Sequence, residues 1–262
     1  MKIIRFLFQD QTHYGILEGE VVRVLAAPPY DGLKETNQSI SLDSIKLLAP
    51  CEPTKIIALG LNYRDHAQEM RMALPEEPLI FMKPSTSVIG PEEAIVCPPQ
   101  SRRVDYEAEL AVVIGHGAHR VSEAEAGNYI LGYTCCNDVT ARDLQKQDGQ
   151  FTRAKSFDTF APLGPWIETG LADPGNVTVE TYVNGQRRQH GHTSNLVYGV
   201  ATLVSFISHI MTLLPGDVIA TGTPSGVGPL QPGDVVEIRL GGIGSLRNPV
   251  IKHENIDSPG TS

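Results

Sequence analysis

The chain has 262 residues, of which 41% are hydrophobic and 19% charged, the balance of a compact folded protein and not of a disordered one. Its 21 basic and 30 acidic residues give a formal charge of −9 with no long run of one sign, which argues against binding a phosphate backbone. No apolar stretch is long enough to span a bilayer. The opening MKIIRFLFQDQTHYG carries charge within its apolar run and reads as a strand, not as a signal peptide.

Twenty-five glycines and 19 prolines favour turns and strands over a helical bundle. Residues 2–8, 13–17 and 20–25 predict an antiparallel meander. A polar stretch from Pro29 to Ser44 follows, and a small N-terminal β module is expected to end near residue 50, with a catalytic domain over 51–252. KIIALG predicts a buried strand leading into GLNYRDHAQEM, whose tail suits a helix. Residues 104–115, VDYEAELAVVIG, give the cleanest strand signal. SEAEAGNYILG reads as a short helix with a capping box at Ser122 and Glu125. Residues 131–137 read as a strand and TARDLQKQDG as a second short helix. VTVETYVNGQ alternates and closes on a hairpin turn at Asn184–Gly185. The long helix is expected over Asn195–Leu214, stopped by Pro215. PGD recurs at 215–217 and 232–234, each time ahead of a strand, and a loose tail is expected from about Glu254. The fold class is therefore α+β, strand-rich, with few helices.

Asp105, Glu107 and Glu109 share one face of their strand, because strand side chains alternate. A solvated face is the ordinary explanation of such a pattern. Two features favour a site: the strand runs on into apolar AVVIG, and uncharged YILGYTCC ends at Asn137–Asp138. Carboxylates that meet at low dielectric repel one another until a proton or a cation intervenes. Oxygen donors suit Mg²⁺, Mn²⁺ or Ca²⁺ and argue against a zinc site of His and Cys.

Lys155 sits among aromatic and apolar neighbours, either with its stem reaching to the surface or as a cation beside the carboxylates. Arg142, four residues after Asp138, could grip a substrate carboxylate or form a surface ion pair. His66 and Glu69 are three apart, which on a helix sets them on one side. They fit an oriented general base, although a solvent-facing pair is the commoner outcome. TGTPSGVG at 221–228 could cradle an anion or serve as a turn. The four cysteines, Cys51, Cys97, Cys135 and Cys136, contain no CxxC pair, which suits a reducing, cytoplasmic setting. His190 and His192 lack a clear third metal ligand and read as loop histidines.

Six ordered motifs, GLNYRDHAQEM, KPSTSVIGP, DYEAELAVVIG, NDVTARDLQ, RAKSFDTFAPLGPW and MTLLPGDVIATGTPSGVG, resemble those of the fumarylacetoacetate hydrolase family over roughly residues 52–250. The resemblance implies a mixed β-sandwich roll, usually homodimeric, with Mg²⁺ or Mn²⁺ on Glu107, Glu109 and Asp138. It implies Lys155 as the active-site lysine and a His66–Glu69 dyad on a lid segment. Arg142, Thr223, Lys83 and Gln145 are expected as substrate contacts, with Asp105 supporting the ligands from behind. RRQHGHTSN departs from the family pattern, so His190 and His192 are expected to alter the pocket or a dimer edge. The implied activity is metal-dependent hydrolysis or lysis of a C–C bond in a small 2-oxo acid. Oxaloacetate decarboxylation, isomerisation of a 2-hydroxy-diene diacid and a non-catalytic metal-binding relative are the alternatives.

Overall fold

A computed structural model describes residues 1–253, and the tail expected from Glu254 lies outside them. The fold is α+β and rich in strands, and the described residues form four short α-helices: α1 (Arg64–Glu69), α2 (Arg142–Asp148), α3 (Thr152–Lys155) and α4 (Val200–Ile210). None of the helices among the described residues is long and apolar enough to cross a membrane.

The predicted meander forms from Lys2–Phe8, Gln11–Glu18 and Val21–Leu25. It does not stand apart from the rest of the chain. Lys2 and Ile3 pair with Glu168 and Ile167 of the Ala161–Glu168 strand, and the Met1 amine donates to Glu168 Oε1 at 2.7 Å. One mixed twelve-stranded sheet therefore runs from the N-terminal strands through Ala161–Glu168, Ile130–Asn137, Ala108–Ile114 and Val218–Ala220 to Lys55–Gly60 and Leu79–Pro84. A five-stranded sheet built on Thr178–Val183, Gln186–His192, Val235–Leu240 and Gly244–Lys252 packs against it. The largest hydrophobic cluster joins the two, with Leu110, Val112 and Ile114 meeting Val179, Ile238 and Leu246.

Three expectations give way. Residues 104–115 are not one strand. Val104–Tyr106 pairs with Gly228–Leu230 and Thr140–Ala141 in a separate three-stranded sheet, and Ala108–Ile114 belongs to the large sheet. Glu107 is the joint between them. The SEAEAG segment makes only a 3₁₀ turn at Ala126–Tyr129. Ser122 does bond Glu125 at 2.7 Å, but from Ile130 the chain is claimed by pairing with Ala108–Ile114. The long helix is shorter at both ends than Asn195–Leu214, because Val197 N and Tyr198 N bond to Asn62 before it and Leu213 pairs with Ala118 after it. In the polar stretch a strand, Glu35–Ser41, pairs with Val21–Leu25. Only Ile40 of its seven residues is buried, so it carries no periodic signal.

The first PGD turn has a clear task. Asp217 is fully buried and accepts from Thr54 N at 3.0 Å, Thr54 Oγ1 at 2.7 Å, Lys55 N at 3.2 Å and Leu214 N at 2.8 Å. Its second oxygen also pairs with the Lys55 ammonium. These bonds start the parallel pairing of Val218–Ala220 with Ile56–Ala58, which carries two of the loops around the site. Asp217→Ala leaves those donors buried without an acceptor and should cost about 3–5 kcal/mol. Urea titration should show this as a lower midpoint at unchanged m.

Candidate metal and active site

Antiparallel register brings the carboxylates together. Ala108 lies opposite Asn137 and Glu109 opposite Cys136, so continuing the ladder by one step sets Asp138 across from Glu107. Asp138 N donates to Glu107 O at 2.9 Å, and Glu107 N donates to Asn137 Oδ1 at 2.9 Å. Glu107, Glu109 and Asp138 are all buried, and each offers a carboxylate oxygen within 4.8 Å of the others.

Cations meet this cluster from separate elements. Lys155, ending α3, donates to Glu107 Oε2 at 2.8 Å and to Asp138 Oδ2 at 2.5 Å. Lys83 donates to Asp138 Oδ1 at 2.5 Å and to Val139 O at 3.2 Å. Arg142, opening α2, pairs with Glu107 Oε1 and donates to Asp105 Oδ2 at 3.0 Å. Arg103 closes on Asp105 from the surface at 2.9 and 3.1 Å. Glu109 is the exception, because among the described residues it touches no cation and accepts only from Gly222 N at 2.8 Å.

The protonation equilibria follow these contacts. Burial, together with the charges of Asp138 and Glu107, pushes the Glu109 carboxyl well above the usual range. Against its own burial, Glu107 is held well below that range by Lys155 and Arg142. Burial lowers Lys83 despite Asp138. Lys155 is raised, since Asp138 and Glu107 outweigh its burial. A three-carboxylate, oxygen-only set of this kind can chelate a hard divalent cation, and Glu109 is the ligand whose charge most needs one.

A cavity of about 230 Å³ opens onto Glu107. Arg142, Gln145, Lys155, His66 and Thr223 give it polar groups, and Leu59, Leu79, Phe81, Phe151, Met70 and Met72 give it apolar walls. His66 on α1 is buried, with Nδ1 3.2 Å from Glu69 Oε2. Glu69 in turn accepts from Gly226 N at 3.1 Å, and Asp65 accepts from Ser225 Oγ at 3.2 Å, so α1 is fastened to the Thr221–Gly228 loop over the site.

One further placement differs from expectation. Lys83 does not line the cavity; its ammonium is fully buried behind Asp138 as that residue's counter-ion. Gln145 does line it and accepts from Arg142 Nη1 at 2.7 Å. His190 and His192 lie on the strand Gln186–His192, bonded to Glu180 at 3.0 Å and Ser194 at 2.8 Å, and neither lines the cavity. Next to His190, Gln189 is buried and bonds directly to Thr223. Strand alternation, which turns residue 189 inward, is the signal that could have found it.

Residues 55–251 match the fumarylacetoacetate (FAA) hydrolase C-terminal family, and residues 1–50 match the Rv2993c-like N-terminal family. The chain belongs to the fumarylacetoacetate hydrolase family. It is 45% identical to protein Rv2993c of Mycobacterium tuberculosis over 261 residues, 96% of this chain and 98% of that one. The crystal structure of 5-carboxymethyl-2-hydroxymuconate delta-isomerase from Mycobacterium smegmatis superimposes with a TM-score of 0.92 at 46% identity, over 97% of this chain and 100% of that one. Maleylpyruvate hydrolase from Sphingobium sp. SYK-6, solved with manganese(II) and pyruvate, superimposes with a TM-score of 0.80 at 30% identity and the same coverage.

Glu109 supplies a test of the cluster. Its carboxyl binds a proton more tightly in the folded chain than in the unfolded one. Stability of the metal-free protein should therefore fall as pH rises above the ordinary carboxylate range, about 4–5. Glu109→Gln removes that penalty and should raise the metal-free thermal midpoint more at pH 8 than at pH 5. The same change should weaken Mn²⁺ binding by about tenfold or more, read by calorimetry. An unchanged Mn²⁺ affinity would place the ion elsewhere.

Proposed function

We propose that the protein is a divalent-cation-dependent enzyme that cleaves the C3–C4 bond of a small 2-oxo acid, with an acylpyruvate as the simplest substrate. The observation that carries this reading is the cavity itself. It brings together Glu107, Lys155, Arg142, Thr223 and His66, whose Nδ1 faces Glu69. Glu107, Glu109 and Asp138 would hold Mg²⁺ or Mn²⁺, which when bound supplies Lewis-acid polarisation of the 2-oxo group. The maleylpyruvate hydrolase solved with manganese(II) and pyruvate supports this choice of ion and substrate class.

In the proposed reaction, Arg142 and Gln145 orient the 1-carboxylate. With Nδ1–H directed at Glu69, His66 has Nε2 free to take a proton from water. The water oxygen bonds to C4, and the C3–C4 electron pair passes into pyruvate enolate, whose negative oxygen lies beside the Lys155 ammonium. Protonation at C3 then gives pyruvate and the free acid of the acyl group. All these residues fall within 51–252, which we assign as the catalytic domain, with residues 1–50 as its N-terminal module. A cytoplasmic homodimer is proposed with it, on the family resemblance and the cysteine usage.

A second reading, isomerisation of a 2-hydroxy-diene diacid to its 2-oxo form, is favoured by the M. smegmatis isomerase being the nearer of the two solved relatives in identity, 46% against 30%. The same groups would then move a proton and break no C–C bond.

Pyruvate release from acetylpyruvate and from oxaloacetate, with Mn²⁺ present, separates these readings. Acetylpyruvate should be cleaved, and His66→Ala should slow that cleavage by about 10²–10⁴-fold. Decarboxylation of oxaloacetate needs no attacking water and should be much less affected. Equal losses would remove His66 from the role of base. Silence on both substrates, with turnover of a hydroxy-diene diacid, would establish the second reading.

A further inference from the structure

Gln189 takes no part in the reaction as proposed, yet its amide joins the two halves of the site. It is 1% exposed, and all four of its hydrogen-bonding positions are occupied. Oε1 accepts from Ala108 N at 3.0 Å and from Thr181 Oγ1 at 2.6 Å. Nε2 donates to Thr223 Oγ1 and to Pro224 O, each at 2.9 Å. The first of these donors is the backbone amide between Glu107 and Glu109. The strand comes this close to the loop because residue 191 is glycine: a Cβ there would sit 2.3 Å from Pro224 Cβ.

The network fixes which way the amide points. Ala108 N can only donate and Pro224 O can only accept, so a flipped amide would oppose donor to donor and acceptor to acceptor. With Nε2 aimed at it, Thr223 Oγ1 is an acceptor within the protein. Among the described residues it has no other partner, so its own hydrogen is left over. Thr223 lines the cavity.

We infer that Gln189 is a positioning residue that fixes Thr223 as a hydrogen-bond donor to an anionic or carbonyl oxygen of the substrate. The inference rests on the 2-oxo acid reading above and adds to it the polarity of one contact. The substrate atom facing Thr223 is an acceptor, and a group that can only donate, such as an ammonium, would be disfavoured there.

The test uses oxalate, an unreactive two-oxygen mimic of a 2-oxo acid, titrated calorimetrically into the Mn²⁺-saturated protein. It needs no turnover, so it answers even if the proposed reaction is wrong. Gln189→Glu keeps shape and the Oε1 acceptor but replaces the donor with an acceptor, which draws the Thr223 hydrogen out of the cavity. At pH 8 it should weaken oxalate binding about tenfold. At pH 5 the protonated carboxyl can donate again, and affinity should return toward that of the wild type measured at the same pH with the Mn²⁺ site kept saturated. Thr223→Val should cause a similar loss, and Gln189→Glu should add nothing in that background. Gln189→Met, which cannot ionise, gives the same cycle if the buried carboxyl prevents folding. Losses that multiply, or an equal loss of Mn²⁺ affinity before oxalate is added, would reduce Gln189 to a support of the fold. Failure of wild-type protein to bind oxalate would overturn the donor role outright.

Discussion

The Lys155 ammonium, held between Glu107 and Asp138, is the contact around which the molecule is arranged. An ion buried this deeply costs several kcal/mol in lost hydration unless its partners are correctly placed. Three elements have to agree for that to happen: the joint at Glu107, the end of the Ile130–Asn137 strand and the short helix α3. Lys83, Arg142 and Arg103 extend the alternation of charge from the interior to the surface. A sheet whose register slipped by one residue would turn every one of these carboxylates to the wrong face. The charge network and the strand pairing therefore enforce each other.

The break in the strand at Glu107 is what makes the network possible. A straight strand would carry Asp105 and Glu109 along one sheet at its ordinary spacing. Here the chain leaves the small sheet and enters the large one at Glu107. Asp105 is left facing Arg142 and Arg103, and Glu109 is left facing the Gly222 loop. The same guanidinium of Arg142 touches both Asp105 and Glu107, so the helix α2 is anchored across the joint.

Much of this was legible in the residues. Alternation put Asp105, Glu107 and Glu109 on one side, and the abrupt end of an uncharged strand marked Asp138. The motif pattern pointed to Lys155, His66 and Glu69 as well. What stayed hidden depends on tertiary partners. Residues 104–115 look continuous because both halves are buried, and only their different neighbours distinguish them. The SEAEAG segment has the cap of a helix but is followed by a strand the sheet requires, and pairing overrides local propensity. Lys83 was expected as a substrate contact, and nothing in its neighbours along the chain showed that it is buried as the counter-ion of Asp138. Gln189 was overshadowed by the exposed His190 beside it, whose chemistry is more conspicuous and which the strand turns the other way.

The single hydrogen bond from Gly222 N to Glu109 has one further consequence. Gly222 has φ +100°, and a Cβ there would lie 2.9 Å from Asn62 Cβ, so no other residue can bring the main chain to Glu109 in this way. The next residue along is Thr223. The contact that holds Glu109 and the hydroxyl that lines the cavity are therefore one peptide unit apart. A substitution that displaced the Gly222 peptide would disturb both at once.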